Sequence, residues 1–306
     1  MKKILKAVGI ILALLVIYYA AQSLVTIVIA IVPLVRTVVS AASSNMALDV
    51  EGITNELLRF VGAQTPWVLL IAVAVTVPFY YLIYRGRRQE LWTFVSLKAI
   101  HPVSVPVLVV FGLTLNFMIE LLLGLLSQIS GLRQIFENYN QVTDLIFNGS
   151  FVLTLLAVGI VGPIFEELLF RGLVFGELRK LTKVRVAIFI QALLFGVYHM
   201  NLIQGAYAFL IGILLGYVYY RSNSIFAPML VHITVNSSSV LLSEFLSGGA
   251  LEKWSGVIII ASVLLFIVTG AFILTHRSFR YAMDDSLYLQ NHTPRLQEPP
   301  GYGGES

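Results

Sequence analysis

The sequence predicts an all-α, polytopic bundle of about eight transmembrane helices, and three observations predict it. The 306 residues are 58% hydrophobic and 12% charged, with a mean hydropathy of +0.87, which is too apolar for a surface solvated by water. The apolar residues fall into separate blocks of about 18 to 28, long enough to cross a hydrocarbon layer of roughly 30 Å. The Lys and Arg residues collect in alternate loops, as they do in short cytoplasmic connections.

In chain order the predicted spans are 4–32, 67–84, 103–129, 151–178, 185–200, 204–220, 225–246 and 255–275. Lys2, Lys3 and Lys6 precede the first run as in a signal peptide. That run outlasts an h-region of about 7–15 residues, so it reads as a retained signal anchor. Between the first and second spans, Ser43–Pro66 carries Ile53, Leu57, Leu58 and Val61 at helical spacing, and Gly131–Gly149 has a similar pattern. Both stretches are expected to lie along the membrane interface. Assigned to this eight-span scheme, sixteen of the twenty basic residues fall on one side, and only Arg36, Arg59, Arg133 and Lys253 on the other. That asymmetry places both termini in the cytoplasm. The tail from Asp284 runs into Glu298-Pro299-Pro300-Gly301, a composition that cannot bury enough apolar area to fold. The organisation read from these features is 1–149 for the first three membrane helices and their outer loops, 150–246 for a catalytic core, 247–283 for the last helix and 284–306 for a disordered cytoplasmic tail.

The chain has no cysteine, which excludes disulfides, thiolate nucleophiles and zinc-thiolate centres. The net charge of +4 comes from loop residues explained by topology, so no nucleic-acid partner is implied. The partner expected from composition is the lipid bilayer.

Ionisable groups at membrane depth are costly and are functional candidates by default. Three clusters qualify. Glu166-Glu167-Leu168-Leu169-Phe170-Arg171 sits in the fourth span, where Glu167 and Arg171, four apart, share a face and can pair. Glu166, rotated about 100° from Glu167, is left without that partner and is suited to general-base work. The second cluster is Phe195-Gly196-Val197-Tyr198-His199, and the third is His232-Ile233-Thr234-Val235-Asn236. A lone histidine in apolar surroundings is often a structural hydrogen-bonder, and relative depth decides between the readings here. If the fourth and fifth spans form a hairpin about the basic turn Arg179–Lys183, Glu166 and His199 lie equally deep, roughly 20–25 Å from that turn. His232 and Asn236, counted from the turn at Arg221, reach roughly 12–18 Å and project the same way. An activated water, a general base and two donors for an oxyanion fit acyl hydrolysis. Asn116 and Glu120 share a face of the third span, where a structural hydrogen bond is the expected role.

The ordered set Glu-Glu-x-x-x-Arg, Phe-x-x-x-His and His-x-x-x-Asn over Ser150–Leu246 resembles the CAAX prenyl protease 2 and abortive-infection-like intramembrane proteases, abbreviated CPBP. The resemblance implies that Glu166 activates water with His199 as its partner. It makes His232 and Asn236 the oxyanion or metal-coordinating pair, and Glu167 with Arg171 a supporting ion pair. It leaves open whether a divalent metal such as zinc is held by Glu166, His199 and His232 or whether none is used. None of the five histidines is followed by Glu, so no zincin His-Glu-x-x-His is present. The resemblance further implies a bacterial plasma-membrane endopeptidase acting on a membrane-associated or C-terminal peptide. Two other readings compete with it: a non-enzymatic immunity factor or scaffold of the same fold, and a proton-coupled transporter relaying through Glu120, Glu166 and the histidines. The transporter reading lacks the expected inverted repeat.

Overall fold

The computed structural model describes residues 2–43, 50–147, 149–245 and 255–279. The tail from Asp284, expected to be unstructured, lies outside the described residues. Among the described residues the main helices are α1 (Lys2–Ser43), α2 (Val50–Ala63), α3 (Thr65–Gly86), a short α4 (Leu91–Phe94), α5 (Ser104–Leu126) and α6 (Arg133–Phe147). There follow α7 (Phe151–Arg179), α8 (Val184–Tyr198), α9 (Leu202–Ser222), α10 (Phe226–Phe245) and α11 (Ser255–Thr275). Seven of these described helices, α1, α3, α5, α7, α9, α10 and α11, are long and apolar enough to cross a bilayer. The protein is therefore an all-α, multi-pass integral membrane protein.

The fifth predicted span differs from the expectation. α8 has 15 residues, a length of about 22 Å that falls short of a hydrocarbon layer of roughly 30 Å. Its end is set locally: Met200 adopts a left-handed φ of 52°, and Asn201 accepts the Gln204 N–H on its side chain at 3.0 Å to open α9. The α8–α9 hairpin thus turns after a helix shorter than a full crossing, with Met200 and Leu202 exposed at the turn.

This hairpin is close-packed through glycine. A Cβ on Gly196 would lie 2.5 Å from the Gly205 carbonyl oxygen, and one on Gly205 would lie 2.7 Å from the Gly196 oxygen. Small residues at such crossings let two helix backbones approach. Gly196→Ala is expected to lower stability by about 1–3 kcal/mol, the usual cost of overpacking. The check is the thermal midpoint in detergent, with Gly124→Ala as control, because nothing lies within 4 Å of a Cβ built there.

α7 forms the centre of the bundle. Every residue from Glu167 to Arg179 is buried, as expected of a helix apolar on all sides. Its core partners include Leu14 and Tyr18 of α1, Tyr80 and Tyr84 of α3, and Ala187 and Phe195 of α8. α7 is not uniformly wound. Residues Leu155–Val161 and Leu168–Val174 are π-helical and bracket an α-helical Gly162–Glu167. The Gly162 N–H reaches back five residues to Ala157, and the Phe175 N–H five residues to Phe170. Pro163 accounts for the first wide turn, since it has no N–H for Gly159 four residues back or for Val158 five back. Those are the two carbonyls that α10 engages: the Asn236 amide donates to Val158 O at 3.1 Å, and the Ser237 hydroxyl to Gly159 O at 2.9 Å.

The two stretches read as interfacial are helices α2 and α6, and they pack on each other, with the backbone at Gly62 pressed against Leu145.

Candidate active site

α7 contributes Glu166, Glu167 and Arg171; α10 contributes His232 and Asn236; His199 caps the C-terminal end of α8. The Arg171 guanidinium donates through Nη1 to Glu167 Oε1 at 2.8 Å, and neither side chain is exposed. The same Oε1 lies 2.7 Å from His232 Nδ1. A carboxylate there calls for Nδ1–H on the imidazole, which leaves Nε2 as the basic ring nitrogen. His232 Nε2 faces Glu166 Oε2 at 3.6 Å, beyond a direct hydrogen bond. Glu167 is thus committed to two cationic or N–H partners. Glu166, 17% exposed, is the carboxylate of the pair with room for water.

One difference from the sequence expectation concerns partners. Spacing along α7 points Glu167 to Arg171 alone and gives Glu166 to His199, whereas in the structure Glu167 is shared by Arg171 and His232, and the imidazole facing Glu166 belongs to His232. His199 engages the Phe195 carbonyl, four residues back on its own helix, through Nδ1 at 2.8 Å. Its Nε2 is therefore also the basic nitrogen.

Phe195 joins these groups. Its ring lies edge-on to His199 at 4.8 Å and to His232 at 5.8 Å between centroids, and the Arg171 guanidinium stands over it at 4.4 Å. The two histidines therefore flank one ring, although no polar contact links His199 to Glu166. Asn236 spends one amide hydrogen on Val158 O and keeps a second. Sequence reasoning missed Phe195 as a hub and missed Ser237. Pro163 was the available signal for Ser237, because a proline within a buried helix frees carbonyls that a neighbouring helix must satisfy.

The side chains of Asn116 and Glu120 make no hydrogen bond to this network. Asn116 is buried, with its amide nitrogen unpartnered among the described residues, and Glu120 is exposed. The donor set offered for a metal, Glu166, His199 and His232, is not gathered: among the described residues no three His, Asp or Glu side chains converge as ligands of one ion. As placed, these residues do not fit a zinc centre.

The fold and the site define a membrane protein whose buried carboxylate and imidazole groups meet in the middle of a helical bundle. Residues 148–238 match the family model described as Rce1-like, type II CAAX prenyl endopeptidase, and this segment holds all six site residues. A curated relative, "Putative membrane peptidase YdiL" of Bacillus subtilis, is 30% identical over 106 residues, which is 35% of this chain and 43% of that protein. The alignment thus spans less than half of the relative's length. No solved structure matches the chain significantly. On these matches residues 148–238 of this multi-pass membrane protein are similar to the Rce1-like, type II CAAX prenyl endopeptidases.

Proposed function

We propose that the protein is an intramembrane endopeptidase in which Glu166 is the general base, and that it cleaves a membrane-associated or C-terminal peptide. The observation that carries the reading is the division of labour between adjacent carboxylates. Glu167 is buried and holds both Arg171 and His232 on its Oε1, while Glu166 beside it keeps an open face. Such a pair separates a structural carboxylate from one available to a water.

In the proposed reaction Glu166 takes a proton from a water as its oxygen adds to the scissile carbonyl carbon. The basic Nε2 of His199 helps orient that water. The free amide hydrogen of Asn236, together with His232 when Nε2 carries a proton, faces the oxyanion of the tetrahedral intermediate. Collapse breaks the C–N bond, and the proton held by Glu166 passes to the departing amine. The reading extends to a bacterial plasma membrane with both termini cytoplasmic, on the strength of the loop charges.

The test is cleavage of a peptide library by the purified protein in detergent. Turnover is expected to survive exhaustive chelation, because no step is routed through an ion. Loss of activity on chelation, with recovery on adding zinc and about one metal per chain by elemental analysis, would replace this mechanism with a metal-assisted one.

A further inference from the structure

The segment that matches the family begins at residue 148, yet the site is also bounded by a helix from the far end of the chain. Tyr18 of α1 is 1% exposed. Its ring packs on Phe165 at 4.3 Å between centroids and stacks on Tyr198 at 5.6 Å and 12°. Phe165 and Tyr198 are the chain neighbours of Glu166 and His199. One turn further along α1, Gln22 accepts the Tyr198 hydroxyl hydrogen bond on Oε1 at 3.2 Å. One turn earlier, the Leu14 carbonyl accepts from the Tyr80 hydroxyl at 2.6 Å, and the Tyr80 ring stacks on the other contact of Tyr18, Phe165, at 5.8 Å. Residues 14, 18 and 22 form one stripe at i, i+4 and i+8, so a single face of α1 is fastened at three successive turns. Tyr18 and Tyr198 also lie within electrostatic reach of the Glu166 carboxylate.

We propose that Tyr18 is a positioning residue of the site: wedged between Phe165 and Tyr198, it sets the spacing between Glu166 and His199, with Gln22 holding Tyr198 in register. The inference rests on the peptidase reading above. The two groups sit on helices α7 and α8, with no hydrogen bond between their side chains. Their separation is therefore fixed by what packs beside each of them, and Tyr18 packs beside both. Small displacements of a reacting group are costly even when nothing touching the substrate is changed.

The test compares Tyr18→Leu, Tyr18→Phe and Gln22→Leu in the full chain, measuring kcat, KM and the thermal midpoint for any peptide the wild type cleaves. Tyr18→Leu is expected to lower kcat by about tenfold to a hundredfold, with KM within about threefold, because geometry and not substrate affinity is altered. Tyr18→Phe preserves both ring contacts and restores most of that loss. Gln22→Leu, which frees the Tyr198 hydroxyl, lowers kcat by about threefold or more at an unchanged thermal midpoint. If Tyr18→Leu does not accumulate, Gln22→Leu decides. Wild-type kcat in Tyr18→Leu or Gln22→Leu, while Glu166→Gln is inactive, overturns the positioning role and leaves the peptidase standing. Wild-type cleavage by Glu166→Gln overturns the peptidase reading, and this inference falls with it.

Discussion

Glu166→Gln is expected to lower peptide turnover by at least about a thousandfold, within the range that removal of a general base produces. The substitution is nearly isosteric. It leaves the Glu167–Arg171–His232 contacts intact, since none of them passes through Glu166. Stability should therefore stay close to wild type, and the effect should fall on kcat, with KM little changed. The measurement is steady-state cleavage alongside a thermal unfolding curve. A rate within about tenfold of wild type, equivalent to about 1.4 kcal/mol of barrier, would remove Glu166 from the role of base.

The second large effect concerns folding. Arg171→Ala leaves Glu167 as a carboxylate with no exposure and one fewer partner. Removing one member of a buried ion pair costs about 3–5 kcal/mol, because the other charge is stranded. The loss of the cation over the Phe195 ring adds to it. The expected result is a large drop in folded protein recovered from membranes and in the thermal midpoint. The double substitution Glu167→Gln with Arg171→Met, which strands no charge, should recover part of that drop. Normal accumulation of Arg171→Ala would show that Glu167 is stabilised elsewhere. Arg171 Nε and Nη2 meet no acceptor among the described residues, so the ion pair is not at its full hydrogen-bonding capacity even in the wild type.

The course of the chain through the membrane was readable because apolar run length has a direct physical meaning. The eight predicted spans correspond to helices, and the two amphipathic stretches between spans to α2 and α6. The exception, α8, is shorter than a crossing because Met200 and Asn201 end it by backbone conformation and side-chain capping, which apolar content does not register. Local pairs were readable for the same reason that long-range ones were not. Glu167 and Arg171 meet by helical periodicity, whereas the His232 bond to Glu167 spans 65 residues and depends on how α10 leans on α7. Depth counted from the basic turns ranks residues along the membrane normal. It says nothing about which of two imidazoles at similar depth faces a given carboxylate. The contribution of α1 was invisible in the same way: Tyr18 looks like one more aromatic residue in an apolar run until its neighbours are known.

The wide turns of α7 each absorb one residue beyond the α-helical count while the segments on either side keep their relative azimuth. Each residue advances an α-helix by about 100°, and a π turn accommodates one residue more than an α turn. Deleting one residue from Leu155–Val161 would let that stretch rewind as regular α-helix and leave Phe151–Thr154 close to its present azimuth relative to Glu166, because the wide turn already absorbs the extra residue. In this helix a one-residue deletion is a rotation of the site only in the α-helical Gly162–Glu167, where it would turn Glu166 by about 100° relative to the segment before it.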